Sequence, residues 1–241
     1  MSRYIVIIIM TVCGTPHIPI AVTTEPYVAG REYAINRSNP EWQYMKPVWM
    51  QAARSMVLLR QGQAAPDALV FLGDDVPVKI LTHRLPDGLN GLDWDACTAD
   101  ALRTRLSVVD GQLCTPDGVT YKALVMGREA HVTEQTRQLI DSLRSAGVSV
   151  LTSGEDIERP IVIEEGRDSV VHTHRKAGRN EIYYIASTAD SETTISFRLH
   201  DAPRRVTLWH NMMGRCVTLK PSRDGVFRLH MKPLESVFVT Y

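Results

Sequence analysis

The chain lacks an excess of charge of either sign: 27 Lys and Arg balance 27 Asp and Glu over 241 residues. Without a basic patch or tail there is no electrostatic case for nucleic acid or an anionic membrane surface as partner. Cysteine is scarce. Cys13, Cys97, Cys114 and Cys216 are scattered and never at CxxC spacing, so no zinc site is implied and they read as small buried hydrophobes. No apolar run is long enough to cross a bilayer as a helix; residues 4–13, YIVIIIMTVC, supply only ten. A phosphate-binding loop is also missing, since Gly73-Asp74-Asp75 has neither the further glycines nor the lysine, and no GxSxG supplies a nucleophile elbow. No repeat or low-complexity run occurs.

The chain is 44% hydrophobic, enough for one large domain or two small ones. Residues 4–13 follow Arg3, which fits a leader peptide. Their β-branched character and the second apolar run at 17–22 favour a buried strand instead. Two such strands need neighbours on both faces, so alone they present a sticky edge and predict poor solubility.

Residues 41–62 predict a helix, with Trp42, Met45, Trp49, Ala52, Met56 and Leu59 at spacings of three and four. Asn39 fits its N-cap, Pro40 its first turn and Gly62 its stop. Residues 66–154 alternate between strand and helix. Buried strands are expected at 68–72, 123–126 and 148–151. Helices are expected at 95–106 and from a Thr133 cap to Gly147. Asp110-Gly111 and Asp117-Gly118 mark tight turns. This pattern implies a parallel sheet covered by helices. Residues 155–167 read as a linker. From 168 on, SVVHTHR, EIYYIAS, TTISFRLH, RVTLWH, GRCVTLK, GVFRLHM and SVFVTY alternate like the strands of an antiparallel β-sandwich.

Several groups are candidates for chemistry. His172 and His174 share a strand face and could bind a metal, but no third ligand is implied nearby, and a core-edge pair is the simpler reading. Asp74 and Asp75 follow a strand end, where α/β sheets bind ligands; a capped turn explains them as well. Asp93 and Asp95 read as acids at a helix start. Glu25, Glu32 and Glu41 lie among Tyr27, Tyr33 and Trp42, aromatic rings able to stack on a sugar, and Glu25 follows a strand-like run, as carboxyls do on the catalytic face of a β/α barrel. Glu41 reads better as an ion-pair partner. Ion pairing with Arg31, Arg37 or Lys46 also remains open for Glu25 and Glu32.

Four phrases in order resemble one family: REYAINRSNPEWQYMKPVWMQAARSMVLLRQG, then DALVFLGDDVP, then GLDWDACTADALRTRLSVVDGQLCTPDGVTYKALVMG, then a β tail with VVHTHR, EIYYIAS, VTLWHNMMGR and LESVFVTY. From about Gly14 onward the chain is similar to the C-terminal part of the α-L-rhamnosidase-like glycoside hydrolases, family 106. The resemblance implies an α/β plus all-β fold: residues 1–62 as an incomplete β/α-barrel remnant, 63–154 as a Rossmann-like α/β domain and 168–241 as a C-terminal antiparallel β-sandwich. It implies a carbohydrate-active hydrolase acting on an oligosaccharide or polysaccharide outside the cytoplasm, with neither nucleic acid nor membrane as partner. Calcium is expected in the complete enzyme, although this chain shows no complete oxygen-ligand cluster for it. Glu25 and Glu32 are the expected catalytic carboxyls; Tyr33, Asn36, Arg37 and Trp42 are the expected sugar contacts. Most of the barrel would lie upstream, so the chain is expected to be either a fragment or a truncated relative. A non-catalytic glycan-binding or scaffold module is the alternative.

Overall fold

The computed structural model describes residues 42–75 and 85–241. A 3-10 turn at Trp42–Tyr44 leads into α1 (Met45–Leu59), and Pro47 sits in its first turn, where a missing N–H costs nothing. Asn39 and Pro40 lie outside the described residues, as do the apolar runs at 4–13 and 17–22. After α1 come β1 (Gln63–Ala64) and β2 (Ala68–Phe71), then β3 (Trp94–Cys97) and α2 (Ala99–Thr104). Three short strands follow, β4 (Ser107–Val109), β5 (Gln112–Cys114) and β6 (Thr120–Tyr121), then β7 (Ala123–Met126), α3 (Glu134–Ser145) and β8 (Val150–Leu151).

Strands β3-β2-β7-β8 form an all-parallel sheet. Its pleat sorts side chains by parity. Leu69, Phe71 and Leu124 point to one face, where Leu102 of α2 and Leu143 of α3 cover them. Ala68, Val70, Ala123 and Val125 point to the other, which Leu89, Leu92 and Ile157 cover from loops. Helices therefore cap one face of the described sheet, where the sequence pattern implied cover by helices alone. The expected helix at 95–106 is a strand followed by a short helix. Thr98 interrupts them, because its hydroxyl caps α2 by accepting from Ala101 N at 3.2 Å. Asp110 and Gly111 both take positive φ (49° and 75°), which makes the tight β4–β5 turn. Thr133 caps α3, and Gly147 (φ 93°) ends it.

All seven alternating segments of the tail form strands: β10 (Val170–Ala177), β11 (Asn180–Ser187), β12 (Thr193–Leu199), β13 (Val206–His210), β14 (Arg215–Leu219), β15 (Phe227–Met231) and β16 (Ser236–Thr240). An eighth, β9 (Ile161–Glu165), falls inside the stretch that reads as a linker; Ile161 and Ile163 alternate with exposed residues and are fully buried. One antiparallel sheet has the order β1-β10-β11-β16-β13-β14, the other β15-β12-β9. Tyr183, Ile185, Leu208 and Val239 from the first meet Ile163, Phe197, Phe227 and Met231 from the second in one buried cluster.

The outer face of the six-stranded sheet is covered over β11 and β16 by α1. Leu59 packs on Ile182, Tyr184, Ala186 and Phe238. The helix turns a different face inward from its expected stripe. Ala52 and Leu59 are buried as expected, but so are Gln51 and Ser55, while Trp42 is exposed and Trp49 and Met56 are half-buried. The buried polar groups are satisfied across the chain: Asn211 Nδ2 donates to Ser55 Oγ (2.8 Å) and Ser236 Oγ (3.0 Å), and Gln51 Nε2 donates to Ser236 Oγ at 3.3 Å. Polar residues at these positions look like solvent-facing ones until the partner strand is known.

The exit of α1 is set by Gly62, with φ at 54°. A Cβ there would land on the Lys176 carbonyl oxygen of β10, which pairs with Gln63. The Gly62→Ala variant should therefore lose at least about 2 kcal/mol, more than the cost of positive φ alone. Urea unfolding midpoints would check this; a loss under about 0.5 kcal/mol would show that the β1–β10 junction can shift.

Candidate functional site

Of the residues expected to carry chemistry, Glu25, Glu32, Tyr33, Asn36 and Arg37 lie outside the described residues, as do Tyr27, Arg31 and Glu41. Trp42 is described. It is 41% exposed and, with Met45, Lys46, Trp49 and Met50, lines a hollow of about 320 Å³ at the start of α1. Trp42 and Trp49 are two helical turns apart and so share a side. Two indoles, two thioethers and one ammonium suit the apolar face of a sugar ring. Trp49 and Lys46 join this hollow although the sequence pattern assigned Trp49 to the core stripe.

Asp74 and Asp75 stand at the carboxyl end of β2, where the sheet order reverses between β2 and β7. That crevice is filled by the chain itself. Asp74 N donates to His131 O at 2.8 Å, and a Cβ on Gly73 would meet His131 backbone atoms at 3.1 Å. Both Asp74 oxygens are engaged: Oδ2 accepts from Thr133 N (2.7 Å) and Oγ1 (3.0 Å), Oδ1 from Thr136 Oγ1 (2.9 Å). Burial pushes its pKa up, but these hydrogen bonds outweigh burial and hold it below the ordinary carboxylate range. Asp74 therefore closes the turn and anchors the N-terminus of α3. Asp75 lies 3.4 Å from His131 Nδ1.

Asp93 and Asp95 are not helix-start acids. Asp95 lies within β3 and accepts from Tyr121 Oη at 2.9 Å. Asp93 precedes β3 and reaches the other layer: its Oδ2 accepts from Thr173 Oγ1 (2.9 Å) and from His174 N (2.8 Å) on β10. Asp67, 1% exposed, accepts from Asp93 N and from Lys122 Nζ, each at 3.1 Å. The sequence signal for both acids was their place just before strands, which does not separate a seam from a turn. Burial, with Asp95 and Asp67 nearby, raises the Asp93 pKa to about 6 despite its two donors.

His172 and His174 sit on the same face of β10. His174 Nε2 meets the Glu181 carboxylate, and its ring stacks flat on Tyr183 at 4.3 Å. Burial lowers both pKa values, that of His172 to about 4. The pair is a core-edge feature, as its simpler reading held. Among the described residues no three His, Cys, Asp or Glu converge to hold a metal. Asp67, Asp74 and Asp93 accept hydrogen bonds from backbone amides, threonines and Lys122.

The profile described as alpha-L-rhamnosidase, glycoside hydrolase family 106, matches residues 28–156. A putative beta-glucuronidase of Formosa agariphila is 32% identical over 256 aligned positions, covering 86% of this chain and 22% of that protein. The solved rhamnosidase of Novosphingobium sp. PP1Y superposes with a TM-score of 0.71 at 20% identity, covering 87% of this chain and 26% of that one. The chain thus spans about a fifth to a quarter of the relatives it matches. That likeness establishes a mixed α/β fold rich in antiparallel strands.

Asp93 and His172 titrate against each other. Asp93 moves from 3.8 to about 6 on folding, so the folded state holds its proton longer and stability falls as pH rises from about 4 to 6. His172 moves from 6.5 to about 4, so the unfolded state takes the proton first and stability rises with pH over nearly the same window. The Asp93→Asn variant keeps an acceptor for Thr173 and His174 but removes the first slope. Its stability should climb more steeply between pH 4 and 6 than that of the parent, by up to about 1 kcal/mol per pH unit. Denaturation midpoints across that range test this, and parallel curves would contradict it.

Proposed function

Since the chain belongs to glycoside hydrolase family 106, we propose that it is the C-terminal part of a hydrolase cleaving a rhamnoside-like bond, with Glu25 and Glu32 as its carboxyl pair. The observation that carries this reading is the match over residues 28–156, which takes in Glu32, Tyr33, Asn36, Arg37 and Trp42 and begins just after Glu25. One carboxyl protonates the glycosidic oxygen as the bond breaks, and the other assists water or attacks the anomeric carbon; their separation decides inversion or retention. Asn36 and Arg37 hydrogen-bond sugar hydroxyls, while Tyr33 and Trp42 stack on the ring. The indole hollow at the start of α1 supports a ring-binding wall there.

In this reading residues 1–62 close a β/α barrel, residues 63–154 form an α/β domain, and the two antiparallel sheets sharing one core form a β-sandwich. The barrel's other strands come from chain upstream. Any calcium draws its ligands from outside the described residues, and the substrate is an oligosaccharide or polysaccharide met outside the cytoplasm. The relative named a putative beta-glucuronidase makes a uronide the alternative glycone. A second reading, a non-catalytic glycan-binding or scaffold module, is favoured by one observation: α1 is fully engaged with β11 and β16 and needs no barrel to bury its inner face.

The test is hydrolysis of an aryl α-L-rhamnoside and an aryl β-glucuronide by the full-length gene product. Glu25→Gln and Glu32→Gln should each lower kcat about a thousandfold, and Trp42→Ala should raise KM about fivefold with a smaller change in kcat. Retention of activity within tenfold in both glutamate variants would remove them from the chemistry. Saccharide binding with no hydrolysis would favour the module.

A further inference from the structure

Helix α1 is apolar on its outward side as well as its inward one. Its inner side, with Ala52 and Leu59, is buried on the six-stranded sheet. Away from the sheet stand Lys46, Met50, Ala53 and Val57, at spacings of four, three and four, so they form one stripe. Met50 is 44% exposed and Val57 62%. The stripe runs up to Trp42 and Tyr44, both exposed, at the start of the helix. Beside it, the β13–β14 turn adds Met212 and Met213, each about half exposed and tied to the helix through Arg54. The helix contains neither Asp nor Glu. An outward side that faces water normally carries charges of both signs, whereas a helix apolar all round is one buried on all sides.

The chain that lies outside the described residues indicates what covers this side. Residues 1–41 end immediately before Trp42, at the stripe's own N-terminal end. Within them, YIVIIIMTVC (4–13) and HIPIAV (17–22) hold no Asp, Glu, Lys or Arg, which suits a surface without acids and with Lys46 as its one charge. Reach is no obstacle. The stripe from Lys46 to Val57 is about 17 Å long, and an extended chain gains about 3.3 Å per residue, so the linking residues 23–41 span all of it. The other stretch outside the described residues, 76–84, is held at both ends by the parallel layer, through Asp75 beside His131 and Leu85 in the core under β2.

We propose that residues 4–22 dock on the outer stripe of α1, which places the helix between the six-stranded sheet and an apolar segment of its own chain. The contact is apolar and centred on Met50, Ala53 and Val57, where the small Ala53 leaves a seat between two larger side chains. The docking rests on the surface of α1 and the composition of residues 4–22. One consequence rests on the function proposed above: residues 23–41, with Glu25 and Glu32, become a loop fastened to α1 at both ends, beside the Trp42 hollow.

Photo-cross-linking of the whole chain tests this. The photoreactive p-benzoylphenylalanine replaces Val57 or, in a second variant, Met50; both side chains are exposed among the described residues, so either label leaves the described packing intact. Peptide mapping should place the main adduct within one chain on residues 4–22, at least about tenfold above the same label at the exposed Gln138 of α3. With the label at Val57, Met50→Lys should lower that yield about fivefold and Met50→Leu should keep it within about twofold, since the contact is apolar. Adducts joining two chains would put a second copy on the stripe, and adducts upstream of Met1 in the full-length gene product would put another part of the protein there; either result overturns the proposal. So does a label that reacts with solvent alone, or a yield unchanged by Met50→Lys. The expected adduct together with active Glu25→Gln and Glu32→Gln variants would remove the catalytic pair and leave the docking standing.

Discussion

Two carboxylates join the parallel sheet to the antiparallel layer. Asp67 is almost completely removed from water and holds the backbone of Asp93 on one oxygen and Lys122 on the other. Asp93, so placed, sends its own carboxylate across to Thr173 and the amide of His174 on β10. A buried charge without partners costs several kcal/mol, so Asp67 tolerates burial while Asp93 N and Lys122 supply its donors, and Asp93 while β10 supplies its own. Lys122 also donates to Glu158 O at 2.8 Å, which draws the chain leading into β9 onto the same seam. The relative placement of the two layers thus follows from satisfying two charges. That is a directional constraint, which apolar burial alone lacks.

Helix α1 is fixed by the same kind of logic. Its inner surface mixes Ala52 and Leu59 with Gln51 and Ser55, and the polar pair is answered by Asn211 and Ser236, more than 150 residues away in sequence. Arg54 then ties the β13–β14 turn to the helix through two carbonyls. The cover of the six-stranded sheet is therefore registered by hydrogen bonds at one end and by Gly62 against β10 at the other. Between these points α1 has little freedom to slide.

What could be read from the sequence follows from where each determinant resides. Local determinants were legible. The apolar runs of β2 and β7, the threonine cap and glycine stop of α3, the Asp110-Gly111 turn and the alternation of β10 to β16 each need only a few neighbouring residues. Determinants whose partner is distant were not. Gln51, Ser55, Asp67 and Asp93 are polar, so periodicity assigns them to solvent or to helix ends, and only the fold shows the groups that pay for their burial. For the same reason Trp42 and Trp49 read as core: hydrophobic spacing cannot tell a stripe that meets a sheet from one that lines an open hollow. Of the residues proposed to contact a sugar, Trp42 alone lies among the described residues, whereas Glu25, Glu32, Tyr33, Asn36 and Arg37 precede it in the sequence.

This division bears on how the proposed chemistry is held. If Glu25 and Glu32 act on a sugar bond, they must be kept in a fixed relation to the rings that bind it, because a displacement near 1 Å can cost a hundredfold in rate. The segment that carries them runs directly into Trp42 and then into α1. Since α1 is pinned to β11, to β16 and to the β13–β14 turn, the proposed sugar-stacking wall would inherit its position from the antiparallel layer. That layer is in turn oriented by the Asp67–Asp93 seam. The C-terminal half of the chain, which supplies none of the proposed catalytic groups, thereby sets the geometry of the wall against which they would work.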